Sequence, residues 1–151
     1  MTVLRDIFTN EYVIFPLLIG ILAQLYKFFY HFAREGRPDF QWLITTGGMP
    51  SSHSASVMSL STLIGLRHGF DSPLFGLVLF FSLIIMYDAA GLRRAAGEQA
   101  AVINKMLEEF SVSHTIREER LRELLGHTPT EVLVGALAGI VASVIFVRIF
   151  P

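Results

Sequence analysis

Apolar positions along the chain gather into four long blocks. Tyr12 to Phe32 is apolar apart from Gln24, Lys27 and His31 near its end, and Ser52 to Phe70 is apolar but interleaved with serines. Pro73 to Tyr87 is strongly apolar and extends through Ala89, Ala90 and Gly91, and Glu131 to Phe150 is the last block. Crossing the hydrocarbon layer takes about 20 such residues. The pattern therefore predicts four membrane-spanning helices, over about 12–32, 52–70, 73–91 and 131–150, within a single membrane domain of residues 1–151. The first block lacks the basic start and small-residue cleavage site of a secretory signal. Residues 1–11 suit a short interfacial helix, residues 33–51 a Gly- and Pro-bearing loop, and residues 69–73 a tight turn. Between 92 and 127 the chain is charged. Gln99, Ile103, Met106, Leu107 and Phe110 share one helical face there, as do Arg117, Leu121, Leu124 and Leu125. This spacing predicts two amphipathic helices broken near Ser111 to Thr115. The expected fold class is all-α: an integral membrane helical bundle with amphipathic helices on its cytoplasmic side.

Composition strengthens that reading. Of 151 residues, 52 % are hydrophobic and 17 % charged, against roughly 25 % charged in an ordinary soluble domain. A soluble protein of this size needs more polar surface. The net charge of −1 argues against a nucleic-acid partner. The absence of Cys excludes disulfides, thiolate metal sites and a Cys nucleophile. Lys and Arg set orientation. If all four blocks span, Lys27, Arg34, Arg37, Arg93, Arg94, Lys105, Arg117, Arg120 and Arg122 share one side, and Arg5, Arg67 and Arg148 the other. The large loops are thus expected in the cytoplasm of a bacterial-type inner or plasma membrane, with both termini outside.

Candidate chemistry concentrates on that basic side. In Gly47-Gly48-Met49-Pro50-Ser51-Ser52-His53-Ser54, a glycine-rich loop runs into a helix start. Ser51 is placed as N-cap, and such a terminus binds phosphate through its unsatisfied N–H groups and dipole. His53 falls in the first turn, able to hydrogen-bond an anion or donate to it; a plain cap with a surface His is the alternative. In His127-Thr128-Pro129-Thr130-Glu131, a His and a carboxylate four apart suit a nucleophile with an orienting acid. Thr128 to Glu131 also spells a capping box with Pro at the first helical position. Asp88 directly follows an apolar block, where an acid needs a partner or the interface. Arg93 and Arg94 either hold phosphate oxygens or anchor a helix end at lipid head groups. Lys27 either snorkels or turns inward to an anion. Ser52, Ser56 and Ser59 share a helix face suited to packing. Nothing in the sequence requires a metal or another cofactor.

Pro50-Ser51-Ser52-His53 resembles the Pro-Ser-Gly-His motif of the type 2 phosphatidic acid phosphatases and vanadium haloperoxidases. His127 with Glu131 resembles that superfamily's last motif, His-x-x-x-Asp, and Lys27 with Arg34 matches the Lys-x6-Arg spacing of its first. Arg37-Pro38 supplies the Arg-Pro pair at a longer spacing. The combination is similar to the small divergent membrane branch of the superfamily, from about Lys27 to Gly139. The resemblance implies that His127 attacks phosphorus to form a phosphohistidine, Glu131 orients it and His53 protonates the leaving oxygen. It places Ser51, Ser52, Lys27 and Arg34, or Arg37 instead, at the phosphate. The superfamily's Ser-Arg before the last His is missing, position 121 being Leu; Arg120, Arg122, Arg93 and Arg94 are the substitutes at hand. Glu also replaces Asp.

The expected function is a membrane phosphatase acting on a lipid phosphate monoester or diphosphate, with vanadate as a mimic of the transition state. One imidazole must be neutral and the other protonated, so the rate profile is expected to be bell-shaped in pH. The alternative is a non-catalytic lipid-phosphate binding or translocation subunit, and a channel or assembly subunit is a third reading. Four helices make a thin bundle, so a homodimer through small-residue surfaces is expected.

Overall fold

The computed structural model describes residues 2–44, 47–91, 97, 99–106 and 127–151, and the regular elements among them are helical. Helix α1 (Thr2–Phe8) exposes Val3, Leu4, Ile7 and Phe8. These fall on one side of a helix, which fits the interfacial role expected for residues 1–11. Helix α2 (Glu11–Glu35) starts where the Asn10 side chain accepts the Tyr12 N–H at 2.9 Å. It ends at Gly36, whose φ of 68° is a left-handed C-cap that other residues adopt at a cost. The expected loop over 33–51 is more structured than its composition suggests. Phe40–Leu43 forms a 3-10 turn folded back on α2. Gln24 Nε2 donates to the Trp42 carbonyl at 3.1 Å, and the Trp42 ring stacks on His31 at 3.5 Å.

Helix α3 (Ser52–His68) and helix α4 (Pro73–Ala90) form a hairpin through the expected tight turn. Ser72 caps α4 by accepting the Phe75 N–H at 3.2 Å, and Pro73 occupies the first helical position. Helix α5 (Pro129–Ile149) opens with the capping box and ends near the C-terminus. Residues 99–106 are helical, as the first amphipathic pattern predicts. The second pattern, over 117–125, lies outside the described residues.

Helices α2, α4 and α5 are long and apolar enough to cross a membrane. The block over 52–70 forms the 17-residue α3, a central helix contacted by α2, α4 and α5. Its polarity follows from that position. Ser54, Ser59, Ser61 and Thr62 are buried against neighbouring helices rather than lipid.

Lipid tails are as apolar as Leu, so transmembrane helices associate through close packing and hydrogen bonds rather than hydrophobic transfer. The α3–α5 seam shows both. Ser51, Ala55 and Ser59 on one side face Gly135, Gly139 and Ser143 on the other. A Cβ on Gly135 would overlap the Ser51 carbonyl, and one on Gly139 the Ala55 carbonyl, so the backbones touch. Ser143 Oγ donates to the Ser59 carbonyl at 2.8 Å, and on the α4 side of α3 the Ser61 and Ser82 hydroxyls pair at 2.8 Å. Such bonds contribute roughly 0.6 kcal/mol each in a membrane. At the far end of the bundle, Arg67 Nη2 donates to Glu11 Oε2 at 3.1 Å and to the Phe150 carbonyl at 2.7 Å. This Arg ties together the ends of α2, α3 and α5.

Candidate functional site

At the opposite end of the bundle the start of α3, the end of α4 and the start of α5 converge. Ser51 N–H donates to the Glu131 carbonyl at 3.0 Å, and His127 N–H donates to the Ala89 carbonyl at 3.2 Å. These two bonds between otherwise separate segments fix the loop before α3 and the residue before α5 to a common frame. They bring His53 and His127 together with ring centroids 6.1 Å apart and planes at 70°.

His127 is 1 % exposed. Its Nδ1 lies 3.1 Å from Glu131 Oε2, and the same oxygen accepts the Thr128 N–H at 3.1 Å. The Thr128 hydroxyl in turn accepts the Glu131 N–H at 3.3 Å, completing the capping box. The cap and the orienting carboxylate are therefore one group. The helix start immobilises Glu131, and Glu131 fixes the imidazole. With Nδ1 turned to the carboxylate, Nε2 is the ring atom presented for chemistry.

His53 occupies the first turn of α3, where the helix dipole and terminal N–H groups favour a nearby anion. The two rings are close enough, at 6.1 Å between centroids, to face one site. Ser51 is buried and acts as the N-cap, its Oγ accepting the Ser54 N–H at 3.4 Å. Ser52 follows it, half-buried.

Lys27 turns inward rather than snorkelling. It is 1 % exposed, and its Nζ donates to the Gly47 carbonyl at 3.0 Å. An ammonium has three donors, so this bond pins the glycine loop and leaves capacity for an anion. Gly48 has φ of 77°, and a Cβ there would meet the Lys27 side chain at 3.4 Å and the Trp42 ring at 3.6 Å. The loop follows this path because Gly tolerates positive φ.

Asp88 lies half-buried in the last turn of α4, next to the Ala89 carbonyl that receives the His127 N–H. Arg34 and Arg37 are exposed at and beyond the end of α2. Arg34 stands roughly 10 Å past Lys27 along the helix axis at 1.5 Å per residue. Arg93 and Arg94, with Arg120 and Arg122, lie outside the described residues. The Ser51–Glu131 and His127–Ala89 bonds were missed by sequence reasoning, since backbone groups carry no sequence signal. The Gly135-x-x-x-Gly139 spacing that presses α5 onto Ser51 does carry one.

Fold and site define the class: a helical membrane protein with a histidine pair, an acid and a buried lysine gathered at one end of its bundle. The chain belongs to the Divergent PAP2 family, which it matches over residues 8–142. It is 40 % identical to the uncharacterized membrane protein YuiD of Bacillus subtilis (strain 168), across 96 % of this chain and 99 % of that protein. No solved structure matches it.

Proposed function

We propose that this protein is a membrane phosphatase that hydrolyses a lipid phosphate monoester or diphosphate through a phosphohistidine on His127. The observation that carries this reading is the His127–Glu131 pair at 3.1 Å, set with its ring 6.1 Å from that of His53. A binding site needs donors, whereas turnover needs an oriented nucleophile opposite an acid. Family membership and the matched motifs give further support.

In this mechanism His127 Nε2 attacks phosphorus and the bond to the lipid oxygen breaks. His53 gives that oxygen its proton. Water, deprotonated by the now neutral His53, then attacks the phosphohistidine, and inorganic phosphate leaves with His127 and His53 restored. Glu131 stabilises the imidazolium character that develops on His127. Lys27 and the amino end of α3 stabilise charge on the phosphoryl oxygens. Ser51 and Ser52 flank that helix start. Arg34, Arg37, Arg93 and Arg94 are the remaining candidates for phosphate contact, with Asp88 in support. A cytoplasmic position for this site is supported by the excess of Lys and Arg on the side of the large loops. Non-catalytic lipid-phosphate binding or translocation would use the same cations, but gives no reason for the Glu131-bound imidazole.

The test is phosphate release by purified protein in detergent from phosphatidic acid, an isoprenoid diphosphate and phosphatidylglycerophosphate. Release that His127→Ala abolishes and vanadate blocks is expected. Binding of these lipids without release, unchanged in His127→Ala, would establish the binding role instead.

A further inference from the structure

Helices α2 and α4 flank α3 with no close approach of their backbones among the described residues. The gap between them is a groove of about 600 Å³, within the range of about 300–1,000 Å³ typical of small-molecule sites. Leu17, Ile21 and Leu25 repeat along α2 as one wall, Ile85 of α4 stands across from them, and Val57 of α3 lies on the floor. Leu17 is 58 % and Ile85 40 % exposed, so the groove is open on its side toward lipid. From Leu17 to Leu25 the wall runs roughly 12 Å at 1.5 Å per residue. One leaflet contributes about 15 Å to the hydrocarbon layer. The groove's depth thus matches a single leaflet.

Its polar end is the candidate site. His53 and Ser52 line the same cavity, and His53 is the residue whose ring faces His127. Leu43, on the 3-10 turn, borders the cavity too, and the Gln24 bond to the Trp42 carbonyl at 3.1 Å holds that turn in place. An aliphatic trough open to the bilayer therefore ends at the proposed proton donor.

We infer that this groove holds one hydrocarbon chain of the lipid whose phosphate lies between His53 and His127, entering sideways between α2 and α4. The inference rests on the phosphatase reading for the identity of the head group. A hydrocarbon wall gains little transfer energy from a chain already in lipid, so the groove's contribution is positional. It sets the depth and direction of the chain and so holds the phosphorus at the imidazoles. A water-soluble phosphomonoester lacks that guide and is expected to react more slowly than a lipid phosphate.

The test uses the full-length protein in lipid nanodiscs and phosphatidic acid carrying a diazirine midway along one acyl chain, with labelled peptides mapped by mass spectrometry. Saturable labelling at Ile21, Leu25, Val57 or Ile85 is expected, displaced by unlabelled phosphatidic acid and not by phosphatidylcholine. Filling the groove with Val57→Phe/Ile85→Phe should remove the saturable part of this labelling, because the two rings take the space the chain would occupy. The half-exposed Ile85→Phe alone should reduce it in the same direction. Labelling spread evenly over outward residues such as Leu77 and Leu137, or equal labelling by a diazirine phosphatidylcholine, would overturn the inference. Labelling of the groove that persists in His127→Ala, with no phosphate released by any variant, would support the chain site and remove the phosphatase reading. Phosphate release with unsaturable labelling would do the reverse.

Discussion

Replacing Gly139 by Ala adds one methyl group at the tightest point of the α3–α5 seam. The new Cβ would overlap the Ala55 carbonyl and lie 2.9 Å from the Ser59 amide nitrogen, both of them backbone atoms that cannot swing aside. Overpacking of this kind costs about 1–3 kcal/mol, and rigid neighbours put it at the upper end. Ala also favours the helix over Gly by about 1 kcal/mol. The net loss is then roughly 2 kcal/mol, which lowers the Tm of a chain this size by roughly 4–8 °C. Gly76 of α4 supplies the opposite case, since a Cβ there would meet nothing within 4 Å. Gly76→Ala should keep only the propensity gain and raise Tm by up to about 4 °C. The assay is thermal unfolding of both variants in one detergent, followed by circular dichroism. Opposite signs are expected. Two increases of similar size would refute the close backbone contact as the basis of α3–α5 association.

Three further outcomes bear on the site. Glu131→Gln keeps an oxygen to cap α5 but loses the charge that steadies the imidazole, so turnover should fall by roughly 10²–10⁴ with Tm little changed. Glu131→Ala loses the cap as well, at about 0.5–2 kcal/mol; equal Tm losses in the two variants would contradict the shared role. Lys27→Met should lower phosphate release roughly tenfold to a hundredfold, because it strands the Gly47 carbonyl and removes a cation; activity within twofold of the parent would contradict the loop-pinning role. His53→Gln should slow release of an alkyl leaving group by roughly 10²–10⁴, and much less for a p-nitrophenyl leaving group that needs no proton. It should also remove the alkaline limb of the bell-shaped rate profile, and a parent profile flat from pH 5 to 8 would count against the acid–base pair.

The spanning elements were legible because long apolar blocks leave few alternatives. The block at 12–32 became Glu11–Glu35, lengthened to the Gly36 cap, and that at 131–150 became Pro129–Ile149, starting where the Thr128 capping box begins. The serine-rich block at 52–70 is helical as its length suggests, and its hydroxyls belong to a central helix that other helices cover. Periodicity reports which face is apolar, not whether lipid or protein lies against it. Motif resemblance placed His53 and His127 in one site, while the bonds that join them run through the backbone of Ser51, Ala89 and Glu131. The choice between cap and orienting acid for Glu131 could not be made from spacing, because one oxygen does both. Spacing alone leaves Lys27 equally ambiguous; its bond to the Gly47 carbonyl turns it inward. The groove was not legible at all, since it arises from two helices that fail to meet.

The most direct test of the central claim is to trap the covalent intermediate. Purified protein would be mixed with phosphatidic acid radiolabelled in its phosphate, quenched in alkali within the first turnovers, and digested for peptide mapping. The account predicts label on the peptide containing His127, stable to base and labile to acid, and absent from His127→Ala. Consumption of the lipid phosphate with no label at His127, or undiminished consumption by His127→Ala, would contradict it.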